Sequence, residues 1–112
     1  MNPAVRSLMP SVALVIALLC VAAGPDDATK PHRVTMRNLK YEPAKITIKV
    51  GQSVQWVNKD DHDHTVVAMN KSFSSENLGR DDTFRHVFTR AGKFEYYCRY
   101  HPRMKGTVTV EK

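Results

Sequence analysis

A cysteine, a histidine and a methionine stand at intervals of three in "YYCRYHPRM" (96–104): Cys98, His101 and Met104. Pro102 and Gly106 discourage a helix across this stretch. The segments on either side are strand-like, so it reads as a tight loop that brings three side chains toward one point. The donors are a thiolate, an imidazole and a thioether. Thiolate and thioether are soft, and zinc sites built from Cys, His and carboxylates have no need of Met. Two histidines and a cysteine near one plane, with a long axial Met, describe a copper centre of the blue type.

Such a centre asks for one more histidine. Outside the loop the chain offers His32, His62, His64 and His86. His64 opens "HTVVA" directly after the charged loop "NKDDHD", at a strand edge where a second loop can meet it, and position favours it. His62 has the same strand parity and is the runner-up. His86 alternates with Phe84 and Phe88 and reads as a packed or edge histidine. His32 stands at the start of the first strand and reads as frayed and solvated. His62 with Asp60, Asp61 and Asp63 reads as a solvated loop, a weak second metal site being the other reading. Tyr96 and Tyr97 read as strand-packing residues; the sequence does not say which of them, if either, stands near the metal.

The elements that must position these residues are short and β-rich. "HRVTMRN" (32–38), "KITIKV" (45–50), "SVQWVN" (53–58), "HTVVAM" (64–69), "TFRHVFT" (83–89), "KFEYYC" (93–98) and "GTVTVEK" (106–112) each show an apolar face or a β-branched run. Turn signals such as Gly51-Gln52 and Ala91-Gly92 separate them. Segment 70–82 lacks periodicity and reads as a loop with one helical turn. Seven to eight strands, each apolar on one side, bury those sides by stacking two sheets, so the expected fold is an all-β Greek-key sandwich.

The chain has 112 residues, enough for one domain, with 42% hydrophobic residues and a formal net charge of +6. Arg6 followed by "SVALVIALLCVAA" and small residues has the form of a cleaved signal peptide over 1–23, leaving a single domain over 24–112. An uncleaved anchor is the competing reading. Cys20 fits a lipoprotein site poorly, because Ala17 and Leu19 are the wrong way round in size. Removing the leader takes away Arg6 and Cys20. That leaves 16 cations against 11 acids, a net +5, and makes Cys98 the only cysteine. A lone cysteine in an exported chain is explained if a metal occupies its thiolate.

"WVNKDDHDHTVVA" followed by "FRHVFTRAGKFEYYCRYHPRMKGTVTV" resembles the cupredoxin (blue copper protein) family over about residues 33–111. The C-x2-H-x2-M spacing is similar to that of the amicyanins; plastocyanins and pseudoazurins have a longer gap before the Met. The resemblance implies a Greek-key β-sandwich, one type 1 copper ion held by His64, Cys98, His101 and Met104, and single-electron transfer to redox protein partners in the periplasm. It also implies that His101 reaches the surface through an apolar patch. Arg99, Arg103 and Lys105 flank that patch, so the expected partner carries an acidic face, and the chain is expected to be monomeric. Many members have Asn directly after the first ligand histidine, tying the two ligand loops together; here Thr65 stands there.

Other functions fit less well. Copper storage, delivery or resistance would use the same ligands, but the exposed Met or His clusters that favour exchange are thin. A Cys–His nucleophile pair lacks an evident orienting carboxylate. No C-x-x-C is present, which removes a thioredoxin-like chemistry. The cations alternate with acids without forming a nucleic-acid stripe.

Overall fold

The computed structural model describes residues 30–112, so the expected leader and its cleavage point lie outside the described residues. Eight strands run along the described chain: β1 (His32–Arg37), β2 (Lys40–Glu42), β3 (Lys45–Lys49), β4 (Ser53–Asn58), β5 (Val67–Ala68), β6 (Thr83–Val87), β7 (Gly92–Tyr97) and β8 (Lys105–Glu111). They form two four-stranded sheets, ordered β2-β1-β4-β6 and β3-β8-β7-β5. The chain changes sheet after β2 and at each of the next four connections. Two neighbouring pairs, β1 with β4 and β3 with β8, are therefore parallel within mostly antiparallel sheets. The alternating pattern predicts an all-β sandwich of seven to eight strands, and the fold is such a sandwich, with eight.

The alternation works because successive side chains on a strand face opposite sides. Val34 and Met36 of β1, Val54 and Trp56 of β4, and Val108 and Val110 of β8 all turn inward and are buried. Trp56 is the hub, with ring centroids 5.3 Å from Tyr96, 5.6 Å from Phe84 and 5.9 Å from Phe73. The exposed edge β3 carries Lys45, Thr47 and Lys49 outward, a charged edge that discourages pairing with another chain.

Four local readings change. The strand over 64–69 shrinks to β5. Segment 70–82 contains no helical turn; it folds back along 64–69 through isolated bridges His64↔Leu78 and Val67↔Ser74. Burial of Phe73 and Leu78 explains this, since a helical turn would not place both in the core. β2 was not anticipated, because three residues carry no readable period. His32 is not frayed: it pairs with Val54 in β1, is half-buried, and its Nε2 lies 3.1 Å from Gln52 Oε1.

β2 matters because of Tyr41. Its hydroxyl donates to the Thr65 carbonyl at 2.6 Å, pinning the edge of one sheet to the segment that carries His64. Burial, with smaller contributions from Cys98 and Tyr96, pushes this phenol above its ordinary value. Tyr41→Phe should lower stability by about 1–3 kcal/mol, because the carbonyl of fully buried Thr65 loses this donor. Chemical denaturation checks it; a variant as stable as the parent would show that this carbonyl needs no donor.

Candidate metal centre

Cys98 follows β7 and Lys105 opens β8, so the 98–104 loop joins two adjacent antiparallel strands. The loop closes on itself. His101 N–H donates to the Cys98 carbonyl at 3.3 Å, Met104 N–H to the His101 carbonyl at 2.8 Å, and Cys98 N–H to the Met104 carbonyl at 3.1 Å. These bonds stack the three chemistry-bearing residues at one end of the sandwich. His64 arrives from the other segment, held by reciprocal backbone bonds with Leu78 at 3.0 and 2.9 Å.

The result is one compact cluster. His64, Cys98 and His101 each place a donor atom within 4.8 Å of the others. Cys98 Sγ lies 3.7 Å from His64 Nδ1 and 3.8 Å from His101 Nδ1. Metal–sulfur and metal–nitrogen bonds of about 2.3 and 2.1 Å, opened to roughly 120°, separate the two donors by about 3.8 Å. The donor set and its spacing therefore fit one ion, and the soft sulfur beside two imidazoles suits copper. Cys98 and His64 are fully buried and His101 is half-buried, so His101 is the ring that meets the surface. Met104 is buried at the end of the loop and borders the same surface groove as His101.

Of the residues singled out from the sequence, His64, Cys98 and His101 come together in one cluster and Met104 closes the loop beside them. His62 stays outside the cluster and exposed, its ring centroid 6.1 Å from that of His101. The acidic loop forms no second three-ligand cluster among the described residues. Its carboxylates are engaged elsewhere: Asp61 with Arg80, Asp63 with Asn77, and Asp60 with His64. His86 packs between Phe73 and Phe88, at 4.6 and 4.7 Å, and burial lowers its pKa. Tyr96 is a core residue whose phenol burial pushes up to about 12 against a smaller lowering from Trp56.

Thr65 does tie the loops. Its Oγ1 accepts the N–H of Arg99, the residue after Cys98, at 2.9 Å. A short side chain suffices because the two segments run close together.

Asp60 is the residue that sequence reasoning missed. Its Oδ2 lies 2.8 Å from His64 Nε2, the ring nitrogen on the far side from Cys98. The two N–H groups of Asn38 and Leu39 also reach this carboxylate, at 2.7 and 2.9 Å. Partial burial works against the charged form, but hydrogen bonds from Leu39, His64 and Asn38 outweigh it and hold the carboxyl below its usual range. The run "DDHDH" showed that carboxylates were near. It did not show which one reaches the ring, because an irregular loop has no period.

Around His101 the surface forms an open groove of about 560 Å³ lined by Leu39, Tyr100, Pro102 and Met104, with Lys40 and Arg103 at its sides. Leu39 and Tyr100 are 43% and 47% exposed, so two large side chains face water beside His101. Arg99 on this loop and Lys105 at the start of β8 are exposed. None of these four cations has an ion-pair partner among the described residues.

Known proteins are similar to this chain in sequence and fold. A family model described as "Cupredoxin-like domain" matches residues 10–110. An amicyanin of Paracoccus versutus is 34% identical over 83 residues, covering 70% of this chain and 63% of its own. A plastocyanin of Scenedesmus fuscus is 33% identical over 86 residues, covering 65% of this chain and 88% of its own. A solved Cu(I) form of an amicyanin variant superposes with a TM-score of 0.68 at 31% identity, covering 72% of this chain and 82% of that one. The chain spans under two thirds, 63%, of the length of the two Paracoccus amicyanins it matches. With its fold, its matched region and its Cys–His loop all in agreement, the chain belongs to the family of cupredoxin-like domains.

Proposed function

We propose that this chain carries single electrons between redox proteins at one type 1 copper ion, which His64, Cys98, His101 and Met104 would hold. The observation that carries this reading is the trio of donors, two buried and one half-buried, already spaced for a single ion. An electron carrier needs ligands that stay in place when the metal changes charge. Here Cys98 and Met104 are tied by the loop's own backbone bonds, His64 by Leu78 and Asp60. Copper supplies the one-electron couple. Fully buried Cys98 and His64 would shield the ion from bulk water, with His101 leading to the surface.

With four protein ligands around the ion, no position is kept open for a substrate, and the chain acts as a carrier without enzymatic activity. It works as a monomer in the periplasm, reached through the leader over 1–23.

The test is a visible spectrum. The domain from Gly24 onward, given one equivalent of Cu(II), should develop an intense blue band that ascorbate bleaches and an oxidant restores over repeated cycles. Loss of copper on reduction would move the reading to storage, delivery or resistance. A colourless complex would remove Cys98 from the ligand set.

The groove around His101, with Lys40, Arg99, Arg103 and Lys105 nearby, is the docking face in this reading, and it suits a partner with an acidic patch. Arg99→Glu with Arg103→Glu should slow oxidation of the reduced protein by ferricyanide, an anionic probe, by roughly tenfold at low salt. The difference should shrink as salt rises. Equal rates for parent and variant at low salt would show that these cations serve only solubility.

A further inference from the structure

Asp60 does more than fill the space behind His64. A carboxylate can only accept, so the proton on the His64 ring must sit on Nε2, 2.8 Å away. That leaves Nδ1, on the Cys98 side, as the free lone pair. The carboxylate is itself immobilised. Its two oxygens accept from the N–H groups of Asn38 and Leu39, and the Asp60 backbone N–H donates to Asn58 Oδ1 at 2.8 Å. Asn38 and Leu39 both sit in the left-handed region, at φ 55° and 59°. Two consecutive N–H groups in such a turn can converge on one anion. The side chain is only 12% exposed, so little water competes for it.

From this geometry we propose that Asp60 is the positioning residue of the metal site and sets its redox balance. It locks His64 in the Nε2-protonated tautomer. Its negative charge, passed through the imidazole, makes Nδ1 a stronger donor and favours Cu(II) over Cu(I). One electron enters the site on reduction and no proton needs to move. The inference rests on the copper reading above and adds a residue outside the ligand set. The buckle also ends on Leu39, which lines the docking groove, so a single turn holds both the groove wall and the carboxylate behind the ligand.

The experiment compares the parent with Asp60→Asn, which keeps the shape and removes the charge, by redox titration and visible spectroscopy. The Cu(II)/Cu(I) affinity ratio should fall about tenfold, which is a rise in potential of about 59 mV for one electron. The blue band should survive. Lys59→Gln, which removes a nearby surface charge paired with Asp81, should change the ratio less than twofold. A blue parent whose Asp60→Asn variant keeps the parent's ratio overturns this proposal alone. A parent that forms no blue centre overturns the copper reading and this proposal with it. Should the variant not fold, the ring nitrogen shifts of His64 in the metal-free parent decide the matter. An Nε2-protonated ring supports the proposal and an Nδ1-protonated ring overturns it.

Discussion

Cys98→Ser should abolish the blue band while leaving the metal-free fold almost intact. The colour of such a centre comes from charge shared between copper and a thiolate, and a serine oxygen is a hard donor that copper binds poorly in this setting. The substitution is nearly isosteric. Cys98 is fully buried, but two ring nitrogens lie 3.7 and 3.8 Å from its sulfur. A hydroxyl there has polar neighbours, and the metal-free variant should match the parent's stability to within about 1 kcal/mol. The holo forms should then separate. Copper at about 100 times its dissociation constant stabilises the parent by about 2.7 kcal/mol, and the Ser variant should gain far less. Paired spectra and melting curves, with and without Cu(II), read both effects. A Ser variant that stays blue would show that the thiolate is not the ligand. One that fails to fold without metal would show that Cys98 has a structural role the geometry does not reveal.

Gly106→Ala is the second large effect, and it concerns stability. Gly106 opens the inner face of β8 directly opposite Tyr96 of β7. A Cβ built on it would overlap the Tyr96 hydroxyl and ring. Tyr96 has nowhere to go: Tyr41 stands 4.7 Å away edge-on and Trp56 5.3 Å away. Overpacking of this kind costs typically about 1–3 kcal/mol, and the enclosure of the ring puts this site at the upper end. A loss of about 3 kcal/mol should lower the melting temperature by roughly 12–24 °C for a domain of this size. Tyr96→Leu added to Gly106→Ala should recover part of the loss, since the ring is what the methyl meets. An unaltered melting temperature in the single variant would mean that the two strands separate locally at no cost. From sequence, Gly106 reads as a helix-breaker after the metal loop. In the fold its missing side chain makes room for an aromatic ring.

The metal chemistry of this chain is legible in its sequence because the ligands are local. Cys98, His101 and Met104 share one loop of seven residues, and their order and type carry the choice of copper without any tertiary information. The strands are legible for a similar reason: a period of two is written directly into β1, β3, β7 and β8, where one face must be dry. His64 is one step harder. Its partners lie 34 and 37 positions away, yet its place before an apolar run and its likeness to a known motif pointed to it.

Only the tertiary structure could decide what depends on pairs of segments with no shared period. The turn at Asn38 and Leu39 meets the loop at Asp60, and together they grip His64 from behind. Tyr41 crosses from one sheet to the Thr65 carbonyl, Thr65 reaches Arg99, and Tyr96 lies over Gly106. Segment 70–82 folds back along 64–69 because Phe73 and Leu78 are buried, where the sequence pattern predicts a loop with one helical turn. Periodicity reports which way a side chain faces along its own element. It carries no information on which other segment will stand opposite, and that is settled only when the two sheets close over one core.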